Sequence, residues 1–450
     1  MKNPETSDRT RTFFGQPMAL AYLSFTEAWE RFSYYGMTAI LVLYMTQALL
    51  LPGHVEQIVG FAAFRSTLES VFGPMSTLGL ASQIMGLYTG LVYFTPVLGG
   101  WIADRWIGRR LAVMIGAVMM SAGHLAMAFD ASFLLALFLL ITGCGLLKGN
   151  ISTQVGELYA ESDGEGRTRA FTIFSMGINV GAVVGPLACG LLAQLYGWHA
   201  GFGLAGVLML IGLFTYIAGF RYLPADRPQV AKTQTKSAMT ASQWRIVGAL
   251  AVVSAITIFQ SIAYYQNTNL ALVWIDRSVD LDFLGFHVPV AWFNSIDPLA
   301  SIVGVPLLLA LWRYQGARGS EPDDLGKIGT GAWLAAIANL LLVAACLLGT
   351  RTSVLVPIVY DTLLGIGFLY YWPPLLALVS RAAPTRVKAT LMGAVFLTLF
   401  ISNTIIGWLG SFYEHMTPAG FWAMHAAIAA CGGVLAFALK RPLKRALQIE

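Results

Sequence analysis

Charge is what this chain has least of. Asp, Glu, Lys and Arg make up 11% of its 450 residues, where a soluble globular domain carries about 25%. With 57% hydrophobic residues beside it, that shortage excludes an ordinary water-soluble fold. Cysteine is also scarce. Cys144, Cys189, Cys346 and Cys431 stand singly in apolar runs, a spacing that fits neither a metal site nor a disulfide framework and reads as small packing residues. The apolar runs hold no metal-ligand set and no nucleophile–base pair, so neither enzyme chemistry nor a metal is expected. A cleavable leader is not expected either: the first 12 residues are polar, with Lys2, Arg9 and Arg11, and the apolar run that follows is too long for an h-region.

What is present is a succession of apolar stretches about 20 residues long, each able to span a bilayer. They predict helices over 14–50, 76–98, 108–129, 131–156, 168–196, 199–222, 244–276, 291–314, 328–349, 353–382, 386–415 and 418–440. The class is all-α: a polytopic membrane protein of 12 transmembrane helices. Orientation follows from the basic residues. With the N-terminus inside, only Arg65, Arg277 and Arg351 of the 28 Lys and Arg lie in outer segments, and Arg31 and Lys148 lie inside helices. All the others are cytoplasmic, so both termini are expected in the cytoplasm. The net charge of +5 therefore reports topology and not nucleic-acid binding. A Pro-, Lys- and Thr-containing stretch from Leu223 to Gln243 reads as a linker. It divides the chain into 1–222, the linker 223–243, and 244–450, two six-helix bundles with a site expected near the midplane.

Charges inside a span point to function. Glu27, Glu30 and Arg31 sit within the first apolar run; on a helix they share one face, with Glu27 able to pair with Arg31. Ionisable groups at such depth face a protein interior or an aqueous path and mark substrate or proton sites by default, the alternative being an ion pair that only fixes packing. With Lys148 the four charges sum to zero, and a balanced cluster is the tolerable form of buried charge. Tyr34 and Tyr35 lie beside the triplet, away from the helix ends where aromatic belt residues gather.

Gly99-Gly100-Trp-Ile-Ala-Asp104-Arg105-Trp-Ile-Gly108-Arg109-Arg110 forms a short loop between the second and third spans. It resembles the loop motif of the major facilitator superfamily, in which Asp104, Arg105 and Arg109 would act in gating. Four further stretches are similar to the proton-dependent oligopeptide transporter family. They are Glu27-Ala-Trp-Glu30-Arg31-Phe-Ser-Tyr34-Tyr35-Gly36-Met37; Gln83 through Tyr88 to Thr95-Pro96; Gly143-Cys-Gly145-Leu-Leu-Lys148-Gly149-Asn150; and Phe171 through Asn179 to Gly181. The C-terminal half matches more thinly, in Trp292 through Asp297-Pro298 and in Val379-Ser-Arg381-Ala-Ala-Pro384.

The resemblance implies a proton-coupled symporter of the bacterial inner membrane that imports di- and tripeptides by alternating access. A monomer in the lipid bilayer is expected, with the proton as coupling ion and no cofactor. It implies Glu27 and Glu30 as proton carriers, Arg31 and Lys148 as holders of the substrate carboxylate, and Tyr34, Tyr35, Tyr88 and Asn179 as pocket residues. Bacterial members often insert two extra helices where this chain has only its linker.

The chain also departs from the family. Thr38 and Tyr265 stand where an Arg and a helix 7 carboxylate usually pair across the outer gate, Phe368 where helix 10 has a glutamate for the peptide amino group, and Val395 where helix 11 has a tryptophan. Asp297 and Asp361 are the acids that could compensate. Asp297, ahead of Pro298, is either a helix cap or a substrate or proton ligand; Asp361 either meets outer water or joins the site. The departures leave two alternatives: transport of another small anionic or zwitterionic solute, or a non-transporting membrane sensor.

Overall fold

The computed structural model describes residues 12–13, 15–160, 163–223, 226, 239–283, 285–349 and 351–448. Lys2, Arg9, Arg11, Arg227, Lys232, Lys236 and most of the expected linker lie outside the described residues. The helices in order are α1 (Met18–Tyr44), α2 (Phe61–Phe72), α3 (Thr77–Ile102), α4 (Arg109–Ala126), α5 (Phe133–Glu157), α6 (Gly164–Tyr196), α7 (Trp198–Gly219), α8 (Ala241–Tyr264), α9 (Leu270–Ser278), α10 (Ile296–Ala317), α11 (Asp324–Leu347), α12 (Leu355–Ala382), α13 (Lys388–Gly410), α14 (Pro418–Ala438) and α15 (Lys440–Leu447). Strand structure among the described residues is confined to two-residue ladders, such as Val279–Asp280 parallel to Thr352–Ser353.

Among the described residues, nine helices are long and apolar enough to cross a membrane. The helices α1, α3 and α4 fall outside that set. The charges Glu27, Glu30 and Arg31 dilute α1, and α4 opens on Arg109 and Arg110. The chain packs as two compact units, one of Met1–Thr67 and Leu91–Thr233, the other of Leu68–Gly90 and Gln234–Glu450. The first half of α3 thus belongs with the second unit, a crossing that the sequence division at the linker did not contain.

Two sequence boundaries are corrected. The run expected over 14–50 stops being α-helical at Tyr44 and ends in one π-turn, Met45–Leu49. The run expected over 244–276 is not one helix. It breaks after Tyr264 into a 3-10 turn, Tyr265–Thr268, and restarts at Leu270. The polar stretch Gln266-Asn267-Thr268-Asn269 accounts for the break. Such side chains offer the backbone alternatives to helical bonding, and here Asn269 donates to the Ser82 hydroxyl at 2.9 Å.

In the first unit α1 is buried along most of its length, which is why it can carry charge: its neighbours are helices, not lipid. Gly181 and Gly185 of α6 lie against it without side chains. A Cβ at Gly181 would stand 2.7 Å from the Ala28 carbonyl oxygen and 2.8 Å from the Arg31 Cβ. Small residues four apart allow such backbone approach in membranes. Gly181→Leu is therefore expected to destabilise the protein by at least about 1–3 kcal/mol through overpacking, seen as a lower unfolding temperature in detergent. An unchanged unfolding temperature would show that the seam can open without cost.

At one end of the second unit Asp323 caps α11, accepting from the Gly326 amide at 2.9 Å, and pairs with Lys440 at 3.0 Å and Lys444 at 3.2 Å. Partial burial works against its charge, but these donors outweigh burial and hold the carboxyl below its ordinary 3.8. A carboxyl lowered on folding stabilises above the unfolded-state value and loses that contribution as pH falls through the folded one. Asp323→Ala is expected to cost about 1 kcal/mol, mostly the lost cap since exposed pairs add little. In thermal unfolding the gap between variant and wild type should narrow below pH 4, where the charge is lost while the neutral carboxyl still caps the helix; a gap that does not change there would assign the whole effect to something other than the charge.

Candidate functional site

The first unit holds the charged triplet. Arg31 binds both glutamates from the helix that carries all three. Its Nη2 donates to Glu30 Oε1 at 2.7 Å, its Nε bonds Glu30 Oε2, and the same Nε lies 3.1 Å from Glu27 Oε1. Glu27, Glu30 and Arg31 are 2%, 0% and 2% exposed. The i, i+4 pair expected between Glu27 and Arg31 is present, and the adjacent Glu30 supplies the two-pronged contact that suits a guanidinium. Glu27 Oε2 is buried without a partner, so the network has one unused acceptor.

Lys148 of α5 is half-buried and stands over the Tyr93 ring, 4.5 Å from its centroid. It interacts electrostatically with Glu27, yet makes no ion pair among the described residues. A cation held near acids but not bound by one can receive another anion. Tyr34 lies under Arg31, with the guanidinium 5.3 Å from its ring centroid, and meets Tyr35 edge-on at 5.2 Å. Asn179 is half-buried on α6, the helix whose glycines pack on α1. Thr38 is buried and turns its hydroxyl back to the Tyr34 and Tyr35 carbonyls.

The loop motif forms a separate ionic group in the first unit. Asp104 pairs with Arg109 at 2.9 Å, and Arg109 also binds Glu157 at the end of α5. Among the described residues Arg105 does not join them; its guanidinium stands 5.9 Å from the Trp101 ring centroid. Asp226 accepts from the backbone amides of Arg109 and Arg110, neutralising the start of α4 as anions do at helix N-termini. Glu157 and Asp226 were absent from the sequence reading. An acid at a helix end and an acid in a linker carry no pattern of their own, and only folding sets them against the arginines.

The second unit contains Tyr88, Asp297 and Asp361. Tyr88 is buried in the first half of α3. Asp297 is not the cap of α10: Ser295 occupies that position, and the Asp297 carboxylate accepts from the Tyr264 hydroxyl. Asp361 is 2% exposed and does not meet outer water. Phe368 lies in an aromatic ladder, stacked 5.3 Å from Tyr264 and 6.4 Å from Trp372, which meets Phe396 at 5.4 Å. Rings fill the surroundings of Phe368, and Val395 is buried in the same apolar cluster as Tyr371. Among the described residues no group of three or more His, Cys, Asp or Glu could hold a metal.

Buried charge within a long apolar helix marks a functional interior in a membrane protein, and comparison with known proteins gives the family. A family model described as PTR2, POT family, matches residues 110–241 and 228–423. The chain is 29% identical to the uncharacterized transporter YclF of Bacillus subtilis (strain 168), over 97% of this chain and 96% of that one. It is 28% identical to the di-/tripeptide transporter of Lactococcus lactis subsp. cremoris, over 96% and 97%. Among solved structures, peptide transporter POT in complex with sulfate has a TM-score of 0.85 at 26% identity, covering 98% of each chain. Its fold, its buried charges and the family match over most of its length agree: the chain is a multi-pass membrane protein of the POT family.

Proposed function

We propose that this protein is a proton-coupled symporter that imports di- and tripeptides by alternating access. One observation carries the reading: a buried glutamate–arginine network, Glu27–Glu30–Arg31, lies within electrostatic reach of a lysine, Lys148, that has no carboxylate of its own among the described residues. With both glutamates ionised the four groups are neutral together. A peptide carboxylate that takes up Lys148 leaves the network with one negative charge in excess, and a proton restores neutrality. Coupling of this kind is reciprocal: the substrate favours the proton and the proton favours the substrate.

In this reading Glu27 and Glu30 carry protons and Arg31 and Lys148 receive the substrate carboxylate. Tyr34, Tyr35, Tyr88 and Asn179 shape the pocket, while Asp104, Arg105 and Arg109 act in gating. The reading includes twelve spans in two six-helix bundles, 1–222 and 244–450, both termini in the cytoplasm of a bacterial inner membrane, and a monomer with no cofactor. The name of the Lactococcus relative, a di-/tripeptide transporter, supports the substrate class.

A second reading has its own observation. The aromatic stack around Phe368 offers no anion to a substrate amino group, which favours another small anionic or zwitterionic solute. Uptake of a dialanine-type peptide into proteoliposomes under an imposed pH gradient, with and without a blocked amino terminus, decides between them. Uptake of the free peptide that the pH gradient accelerates supports peptide symport. Indifference to the block shifts the reading to the second class, and absence of any gradient-driven uptake of the peptide rejects peptide symport and leaves another solute or a non-transporting sensor.

A further inference from the structure

A glycine brings the two acids of the second unit together. Gly365, one turn after Asp361 on α12, faces α10: a Cβ there would lie 2.6 Å from the Asp297 carbonyl oxygen and 2.8 Å from Asp297 Oδ1. Ser301, one turn after Asp297, donates to the Gly365 carbonyl at 3.2 Å and fixes the same contact. Residues four apart share a helix face, so Asp361 is presented to Asp297, and the two carboxyl groups interact electrostatically.

Their surroundings are unequal. Asp297 accepts from the Tyr264 hydroxyl and is hydrogen-bonded by the Asn267 side chain. Asp361, 2% exposed, has no hydrogen-bond or ion-pair partner among the described residues. The neighbouring Tyr360 hydroxyl is fully buried without a partner and interacts with both acids. Other titratable groups on the elements packed here are Tyr265 at the helix break, Tyr370, Tyr371 and Arg381 on α12, Arg313 and Tyr314 on α10, and His425 on α14. The His425 Nε2 lies 3.0 Å from Gln266 Nε2 and its Nδ1 2.9 Å from the Phe421 carbonyl. Lys327 of α11 is engaged by Glu321 at 2.5 Å. No cation pairs with either acid among the described residues.

Two buried, interacting carboxylates without a cation cannot both stay ionised cheaply; sharing one proton removes the repulsion. The site also adjoins the break between α8 and α9, since Tyr264 and Asn267 flank it, and interrupted membrane helices mark coupling-ion sites. We propose that Asp297 and Asp361 bind one proton between them and form a second proton site of the transport cycle, distinct from the Glu27–Glu30–Arg31 network. The proposal rests on the symport reading given above.

Infrared spectroscopy of the reconstituted protein tests it without a transport assay. In a Glu27→Gln, Glu30→Gln background, where the first network contributes nothing, a protonated-carboxyl band is expected at neutral pH and is expected to vanish when Asp361→Asn is added. Absence of the band in that background overturns the proposal, and so does a band that survives Asp361→Asn. In the otherwise native protein Asp361→Asn should lower the proton-to-substrate ratio, measured from the reversal potential, by one. A band with an unchanged ratio rejects the coupling role. Failure of wild-type gradient-driven uptake would instead reject symport itself and leave the infrared result standing, so the two failures are separable.

Discussion

Lys148→Ala is expected to lower uptake of an unblocked dipeptide by about 10–100-fold while leaving the folded protein intact. The lysine is half-buried, rests on Tyr93 and holds no carboxylate among the described residues, so its removal opens no ion pair and leaves no orphaned acid bound to it. In the proposed reading, what is lost is a charge-assisted contact with the substrate. Such contacts contribute about 1.5–3 kcal/mol, and each 1.4 kcal/mol is about tenfold in affinity. Concentration-dependent uptake in proteoliposomes, with unfolding temperature as the control, measures it. Lys148→Arg keeps the charge and should restore part of the uptake, though the guanidinium is planar and less compact. Full uptake by Lys148→Ala would remove the lysine from the site.

The second large effect separates binding from coupling. Glu30→Gln removes the two-pronged partner of Arg31 and leaves the guanidinium with Glu27 alone. The network then carries no excess negative charge for a proton to neutralise when a peptide engages Lys148. Accumulation driven by a pH gradient should fall to the part that a second proton site can still drive, while counterflow, which needs binding and alternation but no net proton movement, should persist. Glu27→Gln should act the same way, with less disturbance of Arg31 because Glu27 makes one contact and keeps one oxygen unpaired. Gradient-driven accumulation that neither substitution lowers would remove the glutamates from coupling and leave it to Asp297 and Asp361. Loss of counterflow as well would show that the glutamates act through structure, since breaking a buried ion pair costs about 3–5 kcal/mol.

The first unit was the more legible in sequence because its chemistry is local. Glu27, Glu30 and Arg31 lie within five residues on one helix, so helical periodicity alone predicts their contact. Asp104 and Arg109 likewise share one short loop. The second unit was less legible because its acids meet across distance. Asp297 and Asp361 are 64 positions apart, and nothing at either site says that Gly365 will leave room for the carboxylate. The aromatic ladder through Tyr264, Phe368, Trp372 and Phe396 is equally non-local.

The break after Tyr264 was missed for a related reason. Hydropathy averages over a window, and the apolar run Leu270–Ile275 beyond the polar stretch masks Gln266, Asn267 and Asn269. Only their partners in the folded protein, Ser82 for Asn269 and Asp297 for Asn267, make a broken helix more favourable than a continuous one. Glu157 and Asp226 went unnoticed because a single acid near a helix end has no periodicity to betray it.

By itself the sequence determined that the chain is a helical membrane protein with a charged network on its first long helix, because composition and helical spacing are local quantities. The tertiary structure alone decided that Lys148 stands near that network without an acid bound to it among the described residues, that Phe368 is walled in by rings, and that Asp297 and Asp361 are buried near one another. These depend on which helix faces which, and that is set by close contacts such as those at Gly181 and Gly365, whose meaning appears only when the opposing backbone is present.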